Sequence, residues 1–112
     1  MRVALALAIV VACNKESSTP GAQEKLAKRT VDTYAAEAFP QWAMRHPDKA
    51  CPDRLADLDE YMQGASAVDP WGHPYEMLCG KNLPPGARGG IAVRSVGKDG
   101  VAGTADDINS WP

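Results

Sequence analysis

Apolar residues recur at helical spacing through Leu26, Ala27, Val31, Tyr34, Ala35, Ala38 and Trp42, while Lys25, Lys28, Arg29, Asp32 and Glu37 fall on the other faces. That spacing predicts an amphipathic helix with one side packed and the other wet. Thr19 followed by Pro20 predicts its start, a capping side chain ahead of a first-turn proline. Pro40 has no N–H and its ring crowds the preceding turn, so the helix is expected to kink or end near Phe39. Trp42 reads as core, with a ligand platform as the rarer use of such a ring. His46-Pro47-Asp48 interrupts the pattern, and Cys51-Pro52 opens a shorter helical piece with Leu55, Leu58, Tyr61 and Met62 on one face, stopped by Gly64.

Beyond that point the period changes. Asp69-Pro70-Trp71-Gly72 is turn chemistry around a large aromatic, placing Trp71 to cover one end of a sheet. Residues 75–78 and 90–96 read as strands, the second alternating Ile91, Val93 and Ser95 against Ala92, Arg94 and Val96. The stretch between them, 81–89, holds Pro84-Pro85-Gly86 and is too long for a tight hairpin; it is expected to be mobile and is a candidate surface for a partner. His73 stands alone beside Pro74, and a surface or capping role is expected of it before metal binding or catalysis.

The first residues, M-R-V-A-L-A-L-A-I-V-V-A-C, carry one positive charge and ten apolar residues from Val3 to Ala12 before Cys13. Such a run is too short to span a bilayer as a helix and reads as an export signal. Val10-Val11-Ala12-Cys13 resembles a bacterial lipobox, so the division expected is a signal peptide over 1–12, a polar tether over 13–21 with lipid on Cys13, and one domain over 22–112. An ordinary signal peptide with a coincidental cysteine is the alternative. Three cysteines leave one over in an oxidising compartment, but lipidation of Cys13 leaves Cys51 and Cys79 as a disulfide pair, two free thiols being the cytosolic alternative.

Composition narrows the function. A chain of 112 residues supports one modest core. A formal charge of −2 with a pI near 5.6 argues against a nucleic-acid surface, and a mean hydropathy of −0.31 describes a water-facing chain after its first dozen residues. No G-x-S-x-G or H-E-x-x-H run is present, the stretch ending Gly97-Lys98 lacks P-loop spacing, and the two histidines are isolated. An enzyme is not expected.

The remaining chemistry lies in S-V-G-K-D-G-V-A-G-T-A-D-D-I-N-S-W, residues 95–111, where Asp99, Asp106 and Asp107 surround two glycines and a threonine with no basic residue after Lys98. Three carboxylates in one tight loop repel one another, and a hard divalent cation, Ca²⁺ above all, matches their oxygens. Gly100 and Gly103 permit positive φ, letting main-chain carbonyls turn inward. The spacing is not that of an EF-hand, because Val101 and Gly103 occupy its third and fifth positions counted from Asp99. A solvated acidic turn is the alternative.

D-P-W-G-H-P-Y at 69–75 and S-V-G-K-D-G…D-D-I…W at 95–111, in that order, resemble the C-terminal domain of the major pseudopilin of type II secretion systems, the protein G family. The resemblance extends more weakly back to about Ala22. It implies an α+β fold, an N-terminal helix packed on a small antiparallel sheet with a C-terminal calcium-binding loop. It further implies one structural calcium held by Asp99 and Asp106, the Thr104 hydroxyl and the Val96 and Val101 carbonyls, with Asp107 a ligand or the next oxygen out. Pseudopilins of this kind start with a basic leader and a long apolar helix carrying a glutamate, whereas here a short signal ending in Cys13 is expected. Two functions follow as expectations: a structural subunit or accessory of a secretion pseudopilus, or a free-standing calcium-binding envelope lipoprotein that serves as a binding module for another partner. Both place the chain outside the cytoplasm, held to a membrane through Cys13.

Overall fold

The helix, the two expected strands and the disulfide reappear in the computed structural model, which describes residues 20–64 and 67–112, although Ala92 and Val96 are buried as fully as Ile91, Val93 and Ser95 on the other face. The signal run, Cys13, the tether up to residue 19 and the Thr19 cap lie outside these residues. Helix α1 (Pro20–Thr33) continues through a π-helical turn (Tyr34–Ala38) into α2 (Phe39–Arg45). A 3₁₀ helix (Leu55–Tyr61) follows, then β1 (Glu76–Cys79), a 3₁₀ turn (Gly80–Asn82), β2 (Ile91–Ser95) and β3 (Ile108–Asn109). The strands form one antiparallel sheet in the order β1-β2-β3. The fold is α+β and pseudopilin-like, as the resemblance implies.

Of the kink or end expected near Phe39 the end is absent, the α-helical path being interrupted there by the π-turn, and one residue of the packed face is misplaced. The helix runs on to Arg45 because the turn ahead of Pro40 widens: the Phe39 N–H bonds the Tyr34 carbonyl, five residues back. A π-turn relieves the crowding between a proline ring and the carbonyls of the preceding turn, and Pro40 then sits in the first turn of α2, where its missing N–H costs least. Leu26, placed by its spacing on the packed side, is 50% exposed. The buried stripe runs through Ala27, Thr30, Val31, Tyr34 and Ala38, and Leu26 lies about 100° from the centre of that stripe, since each residue turns the helix by that angle.

The stripe packs on the sheet. Val31, Tyr34, Phe39, Trp42, Leu58, Met62, Tyr75, Ile91 and Val93 form one apolar cluster, each large side chain contributing about 1.5–3 kcal/mol when withdrawn from water. Trp42 is core, 3% exposed, with its ring stacked 5.8 Å from Phe39 and 4.6 Å from His46. The Tyr34 hydroxyl donates to Asp59 Oδ1 at 2.9 Å, fastening the helix to the 3₁₀ segment. Cys51 and Cys79 are disulfide-bonded with Cα atoms 6.1 Å apart, which staples the chain ahead of that segment to the end of β1. On the sheet, Glu76 and Arg94 face each other across β1 and β2 and form a 2.6 Å ion pair. Among the described residues no helix is long and apolar enough to cross a membrane.

Candidate cation-binding loop

β3 gives the acidic run its shape. It pairs with β2 through Arg94 opposite Asn109 and Ser95 opposite Ile108, so residues 96–107 are the connection between two adjacent antiparallel strands. Both ends of that connection are therefore pinned about one strand spacing, ~5 Å, apart. Further bonds fix the second end: the Ser110 N–H donates to the Val93 carbonyl, Ser110 Oγ accepts the Val93 N–H, and Lys28 Nζ reaches the Asn109 carbonyl at 2.8 Å. A strand of two residues carries no readable alternation, and the sequence did not predict it.

Inside the loop, turns closed by Gly100 N–H to Gly97 C=O and by Asp107 N–H to Thr104 C=O fold the chain twice. Asp99, Asp106 and Asp107 come together, each offering an oxygen within 4.8 Å of the others. Every carboxylate is held by a loop amide. Asp106 Oδ2 accepts from Asp99 N–H at 3.0 Å, Asp99 Oδ1 from Val101 N–H at 2.9 Å, and Asp107 Oδ2 from Gly103 N–H at 2.6 Å. The second oxygens of Asp106 and Asp107 turn toward Thr104, whose Oγ1 lies 2.7 Å from Asp106 Oδ1, 3.4 Å from Asp107 Oδ1 and 3.0 Å from the Val101 carbonyl. One hydroxyl proton can satisfy one acceptor at a time. The loop thus gathers more acceptors about one point than its own donors can serve, and this all-oxygen donor set fits a hard cation such as Ca²⁺. The Thr104 hydroxyl, and after it the Asp99 amide, hold the Asp106 carboxyl below the usual carboxylate range, keeping it in its anionic form.

Of the residues expected at this site, Asp99, Thr104, Asp106, Asp107 and Val101 are brought together directly, and Val96, 5% exposed, lies at the loop's entry beside Gly97. Gly100 and Gly103 have φ of 71° and 86°, as their assigned role requires. Gly97 is not among the residues expected here. At φ 75° it presses against the far limb of the loop, where a Cβ would lie 2.3 Å from the Asp106 carbonyl oxygen. Asp69 is not among them either: it is a 3% exposed carboxylate bonded to the Ser95 hydroxyl, and in the sequence an Asp heading a Pro-Gly turn announces only bonds to the turn's own amides. His73 has no other histidine beside it, and its ring lies against Gly100.

Comparison with known proteins follows the same segment. The family model described as "Type II secretion system (T2SS), protein G" matches residues 42–111. The type II secretion system core protein G of Aeromonas hydrophila is 54% identical over 43 residues, which are 38% of this chain and 27% of that protein. The core protein G of Klebsiella michiganensis is 46% identical over 43 residues, with the same 38% and 27% coverage, and that of Pseudomonas aeruginosa 43% identical over 47 residues, 39% and 30%. The matched stretch is thus less than a third of the length of these relatives. No solved structure matches the chain.

Proposed function

Since the chain belongs to the protein G family of type II secretion systems, we propose that it is a non-enzymatic, exported envelope protein acting with the secretion pseudopilus as a structural subunit or accessory, its C-terminal loop closed by calcium. The observation that supports the metal is the convergence of three carboxylates, each already held by a loop amide, around an over-subscribed threonine hydroxyl. Asp99, Asp106, Asp107 and Thr104 would hold the ion through side chains, and Val96 and Val101 through carbonyls. Bound Ca²⁺ supplies the positive charge that this stretch lacks after Lys98. The chain's own part is to keep the donors gathered: the amides of Asp99, Val101 and Gly103 orient the carboxylates, and the strand pair fixes the loop's two ends.

The test is calorimetric titration of CaCl₂ into chelator-stripped protein, with melting recorded in calcium and in EDTA. Saturable heat and a higher melting temperature in calcium support the proposal; no heat at millimolar calcium and identical melting refute it. The lipobox-like Val10-Val11-Ala12-Cys13 supports an alternative, a lipoprotein anchored through Cys13 that works outside any pseudopilus. Labelled palmitate on Cys13 without cross-linking to pseudopilus subunits favours that reading, and incorporation into purified filaments favours the first.

A further inference from the structure

A buried hydrogen-bond chain runs from the 69–73 turn into the acidic loop. Asp69 Oδ1 accepts the N–H of Trp71 at 3.0 Å and of His73 at 2.8 Å, and its Oδ2 accepts the Ser95 hydroxyl at 2.7 Å. Ser95, wholly buried at the end of β2, uses the same Oγ to accept the Gly97 N–H at 3.2 Å. Because a trans peptide is planar with its N–H and C=O opposed, fixing the Gly97 N–H on Ser95 also fixes the direction of the Val96 carbonyl. The turn touches the loop a second time where the His73 ring covers Gly100: a Cβ on that glycine would lie 2.8 Å from Cε1 and 3.0 Å from Nε2. Both gripped glycines have positive φ, 75° and 71°, and Asp99 lies between them.

We infer that Asp69, Ser95 and His73 are positioning residues for the cation loop: the 69–73 turn grips it at Gly97 and Gly100 and sets the Val96 carbonyl and the Asp99 limb before any ion arrives. This rests on the calcium reading above. A loop shaped in advance loses less conformational freedom on binding, so the grip raises affinity although none of the three residues is among those that would hold the ion. Ser95 and Asp69 act through the Val96–Gly97 peptide, and His73 through Gly100.

The experiment titrates CaCl₂ into the full chain, stripped with EDTA, for wild type, Ser95→Ala and His73→Ala, at a temperature where circular dichroism shows each folded without calcium. Melting is recorded in EDTA and in calcium. Ser95→Ala is expected to weaken calcium binding ~10–100-fold, in line with the loss of groups that orient metal ligands, and His73→Ala at the lower end of that range. The rise in melting temperature brought by calcium is expected to shrink in both variants. A purely structural contribution lowers melting equally with and without calcium and leaves affinity unchanged, and that result overturns the inference. Should Ser95→Ala fail to fold, the half-buried His73→Ala decides alone. No uptake by wild type overturns the calcium reading itself, whereas uptake by wild type with unchanged affinity in the variants overturns the positioning role only.

Discussion

The helix–sheet body and the β2–β3 connection are held by different forces. In the body, Tyr34, Leu58, Ile91 and Val93 are almost wholly withdrawn from water and pack against one another, a stabilisation that needs no bound ion. In the connection Lys98, Asp99, Gly100 and Val101 to Thr104 are exposed, and closure rests on hydrogen bonds between carboxylates and loop amides. Such bonds contribute little net free energy against water, and like charges oppose them. The body is therefore expected to respond to changes of side-chain volume and the loop to changes of ionic composition, which ties the stability of this face to the medium around it.

Substitutions in the two regions are expected to differ in what their cost depends on. Leu58→Ala leaves a cavity in the core and is expected to lower stability by about 2–5 kcal/mol in denaturant melts, with the increment due to calcium unaltered. Removing the staple with Cys51→Ala and Cys79→Ala together is expected to cost about 3–4 kcal/mol from the entropy of the loop it closes, again equally in EDTA and calcium. Asp106→Ala reverses the pattern. Little changes in EDTA, while the calcium-dependent gain, about 2.7 kcal/mol at a concentration a hundred times the dissociation constant, largely disappears from the melting curves.

The smallest effect concerns alkaline pH. Burial first, and then the hydrogen bond to Asp59, raise the Tyr34 hydroxyl above the ordinary tyrosine range. A group raised in the folded state contributes stability that is complete below its unfolded pKa and is lost as pH rises above it, so melting temperature is expected to fall once pH passes about 10. Tyr34→Phe is expected to cost about 1 kcal/mol at neutral pH and to flatten part of that alkaline decline. Tyr75, raised also by burial, contributes to the remainder. A pH series of thermal melts on both proteins reads the difference, and an equally steep decline in Tyr34→Phe would remove Tyr34 from this account.

Much of this was written in local spacing. Ala27, Val31, Tyr34, Ala38 and Trp42 announce a packed face because a helix repeats every few residues, and Ile91, Val93 and Ser95 announce a strand because its faces alternate. The pairing of Cys51 with Cys79 followed from parity once Cys13 was set aside. The acidic loop was legible because Asp99, Asp106 and Asp107 fall within nine residues of one another, and charges so near in sequence must meet in space or be held apart. Tertiary structure alone decided that Asp69, 26 residues before Ser95, lies beneath it, that His73 covers Gly100, and that Gly97 admits no side chain. Periodicity describes a residue against its own neighbours, whereas these contacts join the 69–73 turn to the end of β2 and to the loop beyond it, and one limb of that loop to the other. Proximity of that kind is a property of the folded path, and no pattern along the chain encodes it.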